Sequence, residues 1–211
     1  MGLFITFEGG EGSGKTFQSK ALYRRLIKSG IASVLTYEPG GTELGNAIRR
    51  LLKTSNQMPI LPETELFLFS ACRLQLLTEV ICPALEKGSV VICDRFIDST
   101  VAYQGYGRGV NLKIIDSINK IATNVLKPDL TILLDISARE GLSRKVTKNK
   151  DRFEQTGFHF HNKVRNAYIK LAEAEPARWL VINAELSRSR IGNIIWQTVN
   201  QLLSSRQYIE R

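Results

Sequence analysis

The chain has 211 residues, 43% of them hydrophobic, and a formal net charge of +9 at pH 7. This length and apolar content suit one α/β domain with a full core. Because the chain has no run of about 18 apolar residues and no signal-peptide pattern, we expect neither a membrane span nor export.

In chain order, short apolar runs alternate with helical patterns. Five runs are predicted strands: 3–7, 33–37, 89–93, 130–134 and 179–182. The predicted helices are 15–27, 43–53, 64–87, 97–105, 111–124, 138–147, 156–175 and 187–205. Strands that are apolar throughout, rather than alternating, favour a parallel sheet covered on both faces. We therefore predict a doubly wound α/β fold in one domain spanning 1–211, with ligands at the carboxyl ends of the strands.

A glycine-rich loop follows the first predicted strand and precedes the first predicted helix. It fits the P-loop pattern G-x-x-x-x-G-K-[ST] with Gly9, Gly10, Glu11, Gly12, Ser13, Gly14, Lys15 and Thr16. Backbone N–H groups of such a loop and the helix N-terminus attract phosphate. Lys15 is predicted to reach the β- and γ-phosphates and Thr16 to ligate Mg²⁺. The loop therefore indicates a nucleoside triphosphate site, but it does not identify the phosphoryl acceptor.

The third predicted strand is followed by Asp94 and Arg95. An apolar strand that ends in aspartate next to a P-loop predicts a carboxylate that holds Mg²⁺ through water. Arg95 is a poor neighbour for such a carboxylate unless another anion lies nearby, so a second phosphate is the simplest explanation.

Basic residues are concentrated in 143–152, between two predicted helices. An ordinary solvated loop is one interpretation. A lid that brings arginines to the transferring phosphate is the favoured one, since the variable P-loop positions carry no basic residue. We place this lid at about 143–154.

The cysteines and histidines do not indicate a metal site. Cys72, Cys82 and Cys93 lie in apolar surroundings at no metal-ligand spacing, which indicates reduced core thiols of a cytoplasmic protein. His159 and His161 are two residues apart and so do not share one helix face.

Across its whole length the chain resembles the bacterial thymidylate kinases, which transfer the γ-phosphoryl group of ATP to dTMP. The motifs that carry the resemblance are F-E-G-G-E-G-S-G-K-T at 7–16, E-P-G-G-T at 38–42, L-F-S-A-C-R at 68–73, D-R-F at 94–96, S-T-V-A-Y-Q-G at 99–105, K-P-D-L-T at 127–131 and D-R-F-E at 151–154. Their order and spacing together are highly specific. The resemblance implies a P-loop kinase fold, Mg²⁺ as cofactor, ATP as donor and a homodimer, with small-molecule nucleotides rather than nucleic acid or membrane as partners.

The resemblance also implies roles for individual residues. Glu11 would face the sugar of the acceptor nucleotide, Arg49 and Arg95 would bind its phosphate, Phe69 would stack on thymine and Arg73 would hydrogen-bond the base. The implied dTMP site is completed by Pro39, Ser99, Thr100, Tyr103 and Gln104, with Tyr103 disfavouring a 2′-hydroxyl.

Two arrangements of the catalytic arginine exist in this family, in the P-loop or in the lid. The absence of arginine from this P-loop resembles the second arrangement. Arg152 is then the first candidate for the catalytic arginine and Arg144 the next. Lys15, Arg95 and Glu11 are the other predicted catalytic residues, and Lys148 is a further predicted lid residue.

Two positions depart from the family pattern. Tyr37 stands where an arginine usually precedes E-P-G-G-T, and Asn183-Ala184 replaces the usual Asp-Ala near the adenine end of the donor site.

Three alternative functions stay open on sequence grounds. A kinase for dUMP, dCMP or dGMP would share the phosphate chemistry. A GTP-dependent switch would need N-K-x-D, which neither 119–122 nor 149–152 provides. The net positive charge would also suit a nucleic-acid-binding ATPase.

Overall fold

The five predicted strands form one parallel sheet in the computed structural model, which describes residues 2–54, 59–144, 152–153 and 155–206. The strands are β1 Leu3–Glu8, β2 Ser33–Tyr37, β3 Val90–Asp94, β4 Leu130–Asp135 and β5 Trp179–Asn183. Their order is β2-β3-β1-β4-β5. All four neighbouring pairs are parallel, which confirms the predicted sheet.

Helices precede or follow these strands as the sequence pattern predicts. They are α1 Lys15–Lys28, α2 Glu43–Thr54, α3 Pro62–Leu76, α4 Cys82–Glu86, α5 Ile97–Thr100, α6 Leu112–Thr123, α7 Ala138–Ser143, α8 Phe158–Ala174 and α9 Arg188–Ser205. Two π-helical segments, Leu77–Ile81 and Val101–Gly107, extend α3 and α5. The predicted helix 138–147 ends earlier, at Ser143, because Arg144 forms a turn; residues 145–151 lie outside the described residues.

Helices cover both faces of the sheet. On one face, α1 and α9 bury Leu22, Leu26, Ile191 and Ile195 against β1, β3 and β4. On the other face, the α3–α4 segment packs on β1 and β3, while α8 packs beside β4 and β5. The strands are therefore apolar on both sides, which explains their lack of alternation.

The helical stretch Pro62–Glu86 is long and apolar enough, by length and composition alone, to cross a membrane. In the structure it lies against α2, α6 and the sheet, and it buries Glu65 and Arg73 in ion pairs with other elements. It is thus an integral helix of this domain.

Candidate functional site

A cavity of about 1080 Å³ lies at the carboxyl ends of the strands. It collects most of the predicted site residues, namely Glu11, Gly12, Ser13, Gly14, Lys15, Thr16, Pro39, Arg49, Phe69, Arg73, Asp94, Arg95, Ser99, Thr100, Tyr103, Gln104 and Arg144. Gly9 and Gly10 do not line the cavity but contact Lys15, which does. Arg152 does not line it either, and Lys148 falls outside the described residues. The P-loop and the predicted base-binding residues therefore share one continuous space.

The loop between β1 and α1 is shaped by glycines that other residues could not replace. Gly14, the N-cap of α1, has a left-handed φ of 92°. Gly12 has a φ of 69°, and a Cβ atom there would lie 1.9 Å from the carbonyl oxygen of Gly141 in α7. The loop thus lies directly against the helix that precedes the predicted lid, which fixes the donor side of the cavity.

Lys15 is buried at the start of α1, and its ammonium group is held by the loop itself. Its Nζ donates to the carbonyl oxygens of Gly9 at 2.9 Å and Gly10 at 2.7 Å, and to the Ser13 hydroxyl at 3.2 Å. Burial, together with the nearby positive charge of Arg95, lowers the pKa of Lys15 to about 8. The amine is thus placed where it would donate hydrogen bonds to a phosphate bound on the loop.

Thr16 and Asp94 meet at the carboxyl end of β3, as predicted for a magnesium site. The Thr16 hydroxyl donates to Asp94 Oδ2 at 2.5 Å. Among the described residues, no group of three or more His, Cys, Asp and Glu side chains could hold a metal ion alone. A hydroxyl and one carboxylate fit Mg²⁺, which takes few protein ligands and completes its shell with phosphate and water.

Arg95, directly after β3, has a left-handed φ of 76° that a non-glycine residue rarely adopts. Its N–H donates to Phe7 O at 3.0 Å. Its guanidinium donates to Glu11 Oε1 at 2.8 Å and to the Tyr103 hydroxyl at 3.2 Å. The strained backbone thus aims the side chain across the cavity at the P-loop carboxylate. Binding of a second phosphate by Arg95 stays a prediction.

Glu8, the last residue of β1, supports the segment that follows Arg95. Its Oε1 accepts the Phe96 N–H at 2.8 Å, and its Oε2 accepts the hydroxyls of Ser99 at 2.6 Å and Tyr168 at 2.9 Å. Burial and the negative charge of Asp98 raise the pKa of Glu8 to about 7. The carboxyl thereby fixes the backbone that follows Arg95 and the position of Ser99.

Glu11 points away from the phosphate-binding side of its own loop. Besides Arg95, it accepts a hydrogen bond from the Tyr103 hydroxyl at 3.1 Å. These contacts draw the carboxylate toward the base-binding half of the cavity. They explain how an acid fits a phosphate loop, since Arg95 offsets its charge.

Arg49 on α2 approaches the cavity from the side of β2. Its Nη1 donates to Pro39 O at 2.8 Å, and its guanidinium lies 5.2 Å from the Tyr37 ring. The Tyr37 hydroxyl donates to Asn46 at 2.9 Å. Tyr37, the departure from the family pattern, therefore packs against Arg49 and orients it.

Arg73 on α3 is almost fully buried, and most of its donors are used within the protein. Nε and Nη2 bind Glu38, with Nη2 at 2.6 Å from Oε2, and Nη2 also donates to Thr100 at 2.9 Å. Nη1 donates to Asn119 at 2.9 Å. Burial raises the pKa of Glu38, and Arg73 opposes that shift. Since a guanidinium has five N–H donors, the contacts with the described residues leave one Nη1 hydrogen for a ligand.

Aromatic rings enclose the cavity beside Arg73. Phe69 lies edge to face with Phe153 at 6.0 Å between ring centroids, and Tyr103 lies 6.2 Å from Phe153 and 5.9 Å from Phe160. Edge contacts of this kind between aromatic rings are stabilising, and together the rings form an apolar slot. Phe69 and Phe153 both line the cavity, so its wall at this end is aromatic.

The two predicted lid arginines, Arg144 and Arg152, have different partners. Arg144 donates to Ala184 O at 2.9 Å, and both line the cavity at the end away from Phe69. Arg152 instead forms an ion pair with buried Glu65 on α3. The role of Arg152 at the transferring phosphate therefore stays a prediction, and its guanidinium is bound to Glu65 in this structure.

Several residues of the site escaped the sequence analysis. Glu65, Asn119 and Tyr168 act through contacts with residues far away in the chain. Glu8 lies in the motif at 7–16, but its partners are equally distant, so its role was not visible there. Glu65 alone left a usable signal, because Glu65, Phe69 and Arg73 are spaced four residues apart and share one helix face.

The known proteins that this chain is similar to are thymidylate kinases. The family model described as thymidylate kinase matches residues 7–195. A curated thymidylate kinase from Dehalococcoides mccartyi is 53% identical over 207 residues, which cover 98% of this chain and 100% of that protein. One from Desulforudis audaxviator is 42% identical over 206 residues, covering 97% and 93%. The crystal structure of thymidylate kinase from Ehrlichia chaffeensis matches with a TM-score of 0.75 at 33% identity, covering 94% of this chain and 98% of that one.

Proposed function

Because the chain belongs to the thymidylate kinase family, we infer that it is an ATP-dependent nucleoside monophosphate kinase that converts ATP and dTMP to ADP and dTDP. The observation that supports this most directly is the continuous cavity. It joins a P-loop to an aromatic slot that ends in a buried arginine, so a donor and an acceptor nucleotide can meet inside it. The whole reaction is assigned to one domain spanning 1–211.

On the donor side, the loop from Gly9 to Thr16 binds the ATP phosphates through backbone N–H groups. Lys15 exchanges its contacts with Gly9 and Gly10 for the β- and γ-phosphate oxygens. Thr16 and Asp94 hold Mg²⁺, Asp94 partly through water. The ion supplies charge neutralisation to the phosphates when it is bound.

On the acceptor side, Arg95 and Arg49 bind the dTMP phosphate, and Glu11 with Tyr103 positions the sugar. Phe69 stacks on the base, and the remaining Nη1 hydrogen of Arg73 donates to its 4-carbonyl oxygen. The other contacts come from Pro39, Ser99, Thr100 and Gln104. No general base is required, because the acceptor oxygen is already ionised; alignment and charge neutralisation carry the reaction.

The lid excludes water, which would otherwise hydrolyse ATP. Arg144, held by Ala184 O, serves the adenine end of the donor site. Lys148 belongs to the proposed lid but lies outside the described residues. Arg152 is the proposed catalytic arginine only in a conformation that separates it from Glu65, and otherwise it serves the acceptor side.

The test is ADP formation from ATP and Mg²⁺ with a panel of acceptors: dTMP, dUMP, dCMP, dGMP, AMP and UMP. We expect the highest kcat/KM for dTMP. Preference for another monophosphate would overturn the assignment of the base site while leaving the phosphate chemistry in place. ATP turnover that is independent of any acceptor would contradict kinase function and favour an ATPase or a switch.

The proposed assembly is a cytoplasmic homodimer. Helix α3 packs between α2 and α6, and these three helices expose large apolar side chains on their outer surface. These are Leu44, Leu51, Phe67, Leu74, Leu112, Ile114 and Ile121. An apolar surface of this extent is typical of an interface, and the family resemblance makes a second copy of the chain its occupant.

Leu74→Glu is expected to convert the dimer to a monomer, because a carboxylate would be buried without a partner at the centre of this surface. Ile27→Glu on α1 is the matched control, since Ile27 is 48% exposed, comparable to Leu74 at 51%, on the opposite face of the sheet. Light scattering should give twice the chain mass for the wild type and the control. A dimeric Leu74→Glu variant would place the interface elsewhere.

A further inference from the structure

Glu65 is a carboxylate in an unexpected place, 1% exposed and close to the aromatic slot. It lies on α3 one turn before Phe69 and two turns before Arg73, which line the cavity. No role in binding phosphate or metal falls to it, and a buried carboxylate requires partners.

Its partners come from two other segments of the chain. Gln104 donates to Oε1 at 2.7 Å, and Arg108 Nε lies 3.5 Å from the same oxygen; both follow α5. Arg152, from the end of the predicted lid, forms an ion pair with Oε2. Glu65 therefore connects three segments at the base-binding end of the cavity.

The residue after Arg152 is Phe153, whose ring lies between these groups and the cavity. The Arg152 guanidinium is 5.0 Å and that of Arg108 is 5.9 Å from its centroid. The ring is also in edge contact with Phe69 and Tyr103. Its position thus depends on two cations, both of which Glu65 contacts.

We propose that Glu65 is a positioning residue for the acceptor base. By binding Arg152 it holds Phe153 as an aromatic wall of the base slot beside Phe69, and by binding Gln104 it fixes a polar side chain at the same slot. This inference rests on the proposed function, because it takes the slot to receive the base of a pyrimidine monophosphate.

A matching consequence concerns the lid. When Arg152 is bound to Glu65, the end of the lid is attached to the acceptor half of the cavity rather than to the donor phosphates. Loss of Glu65 should therefore weaken acceptor binding selectively, whereas a general loss of structure would weaken the binding of both nucleotides.

The experiment compares Glu65→Gln, Arg152→Gln, the double variant and Phe153→Leu, with Glu63→Gln on the exposed side of α3 as the matched control. KM for dTMP is expected to rise about tenfold in Glu65→Gln and Phe153→Leu, while KM for ATP changes less than about twofold. KM for dTMP in the double variant should be no higher than in the more impaired of the two single variants, because both substitutions break the same ion pair. Thermal unfolding identifies any variant that fails to fold, and Phe153→Leu, which removes no buried charge, decides the matter if Glu65→Gln does not fold.

Equal rises in both KM values, or additive effects of Glu65→Gln and Arg152→Gln, would overturn the positioning role. An unchanged KM for dTMP in folded Phe153→Leu would do the same. If the wild type prefers another monophosphate, the same comparison is made with that acceptor, so failure of the proposed substrate is seen separately from failure of this inference. A wild type that accepts no monophosphate would overturn both.

Discussion

Lys15→Ala is expected to lower kcat by about 10³-fold or more, measured as ADP formation at saturating ATP and dTMP. The amine is buried and held by Gly9, Gly10 and Ser13, so the substitution removes a cation from within the P-loop itself. The charge that develops on the transferring group would then lose the cation that the P-loop supplies.

Lys28→Ala, at the exposed end of the same helix, is the control and should retain wild-type turnover. A pH profile adds an independent check. Because the pKa of Lys15 is lowered to about 8, the free protein loses this positive charge as the pH rises through 8. Wild-type kcat/KM for ATP should therefore fall about tenfold per pH unit above that value. Near-normal turnover in Lys15→Ala, or a flat profile to pH 9.5, would contradict the assigned role.

The sheet could be predicted from the sequence because its signals are local. Each strand is a short apolar run, and every predicted strand boundary lies within one residue of the observed one. The π-helical segments Leu77–Ile81 and Val101–Gly107 could not be predicted in this way, since a wider helical turn keeps nearly the same apolar pattern.

The residues of the candidate site likewise divide into those with a local sequence signal and those whose contacts depend on packing. The P-loop lysine, Thr16 and Asp94 belong to short motifs that fix their own geometry, and the structure brings them together. Arg73 was assigned to the base, but its contacts with Glu38 and Asn119 join residues 35 and 46 positions away. Such contacts arise only when α3, β2 and α6 pack, so the limit of one remaining donor on Arg73 was not visible in the sequence.

Arg152 shows a different limit of the sequence, in which the motif could be identified but the partner of its guanidinium could not. A basic segment between two helices indicates a lid, yet nothing local distinguishes an arginine that faces the donor from one that faces the acceptor. The deciding feature is Glu65, 87 residues earlier in the chain. A buried carboxylate binds the guanidinium that reaches it, whatever the motif implies.

Arg95→Ala is expected to lower kcat/KM for dTMP roughly 10²- to 10³-fold while KM for ATP changes little. Two effects act together. The acceptor phosphate loses a guanidinium, and Glu11, which that guanidinium contacts at 2.8 Å, is left as a negative charge beside the incoming phosphate. Arg24→Ala, an exposed arginine on α1, is the charge-matched control.

The backbone of Arg95 allows its chemical role to be separated from its structural one. At a φ of 76°, alanine keeps the strain of the native residue, whereas glycine relieves it. Arg95→Gly should therefore be more stable than Arg95→Ala by about 1 kcal/mol. In both variants kcat/KM for dTMP should fall to the same extent. If activity instead followed stability, so that glycine restored the use of dTMP, Arg95 would be a backbone feature of the turn after β3. If both variants are equally inactive, the guanidinium binds the acceptor, and the strained turn exists to aim it there.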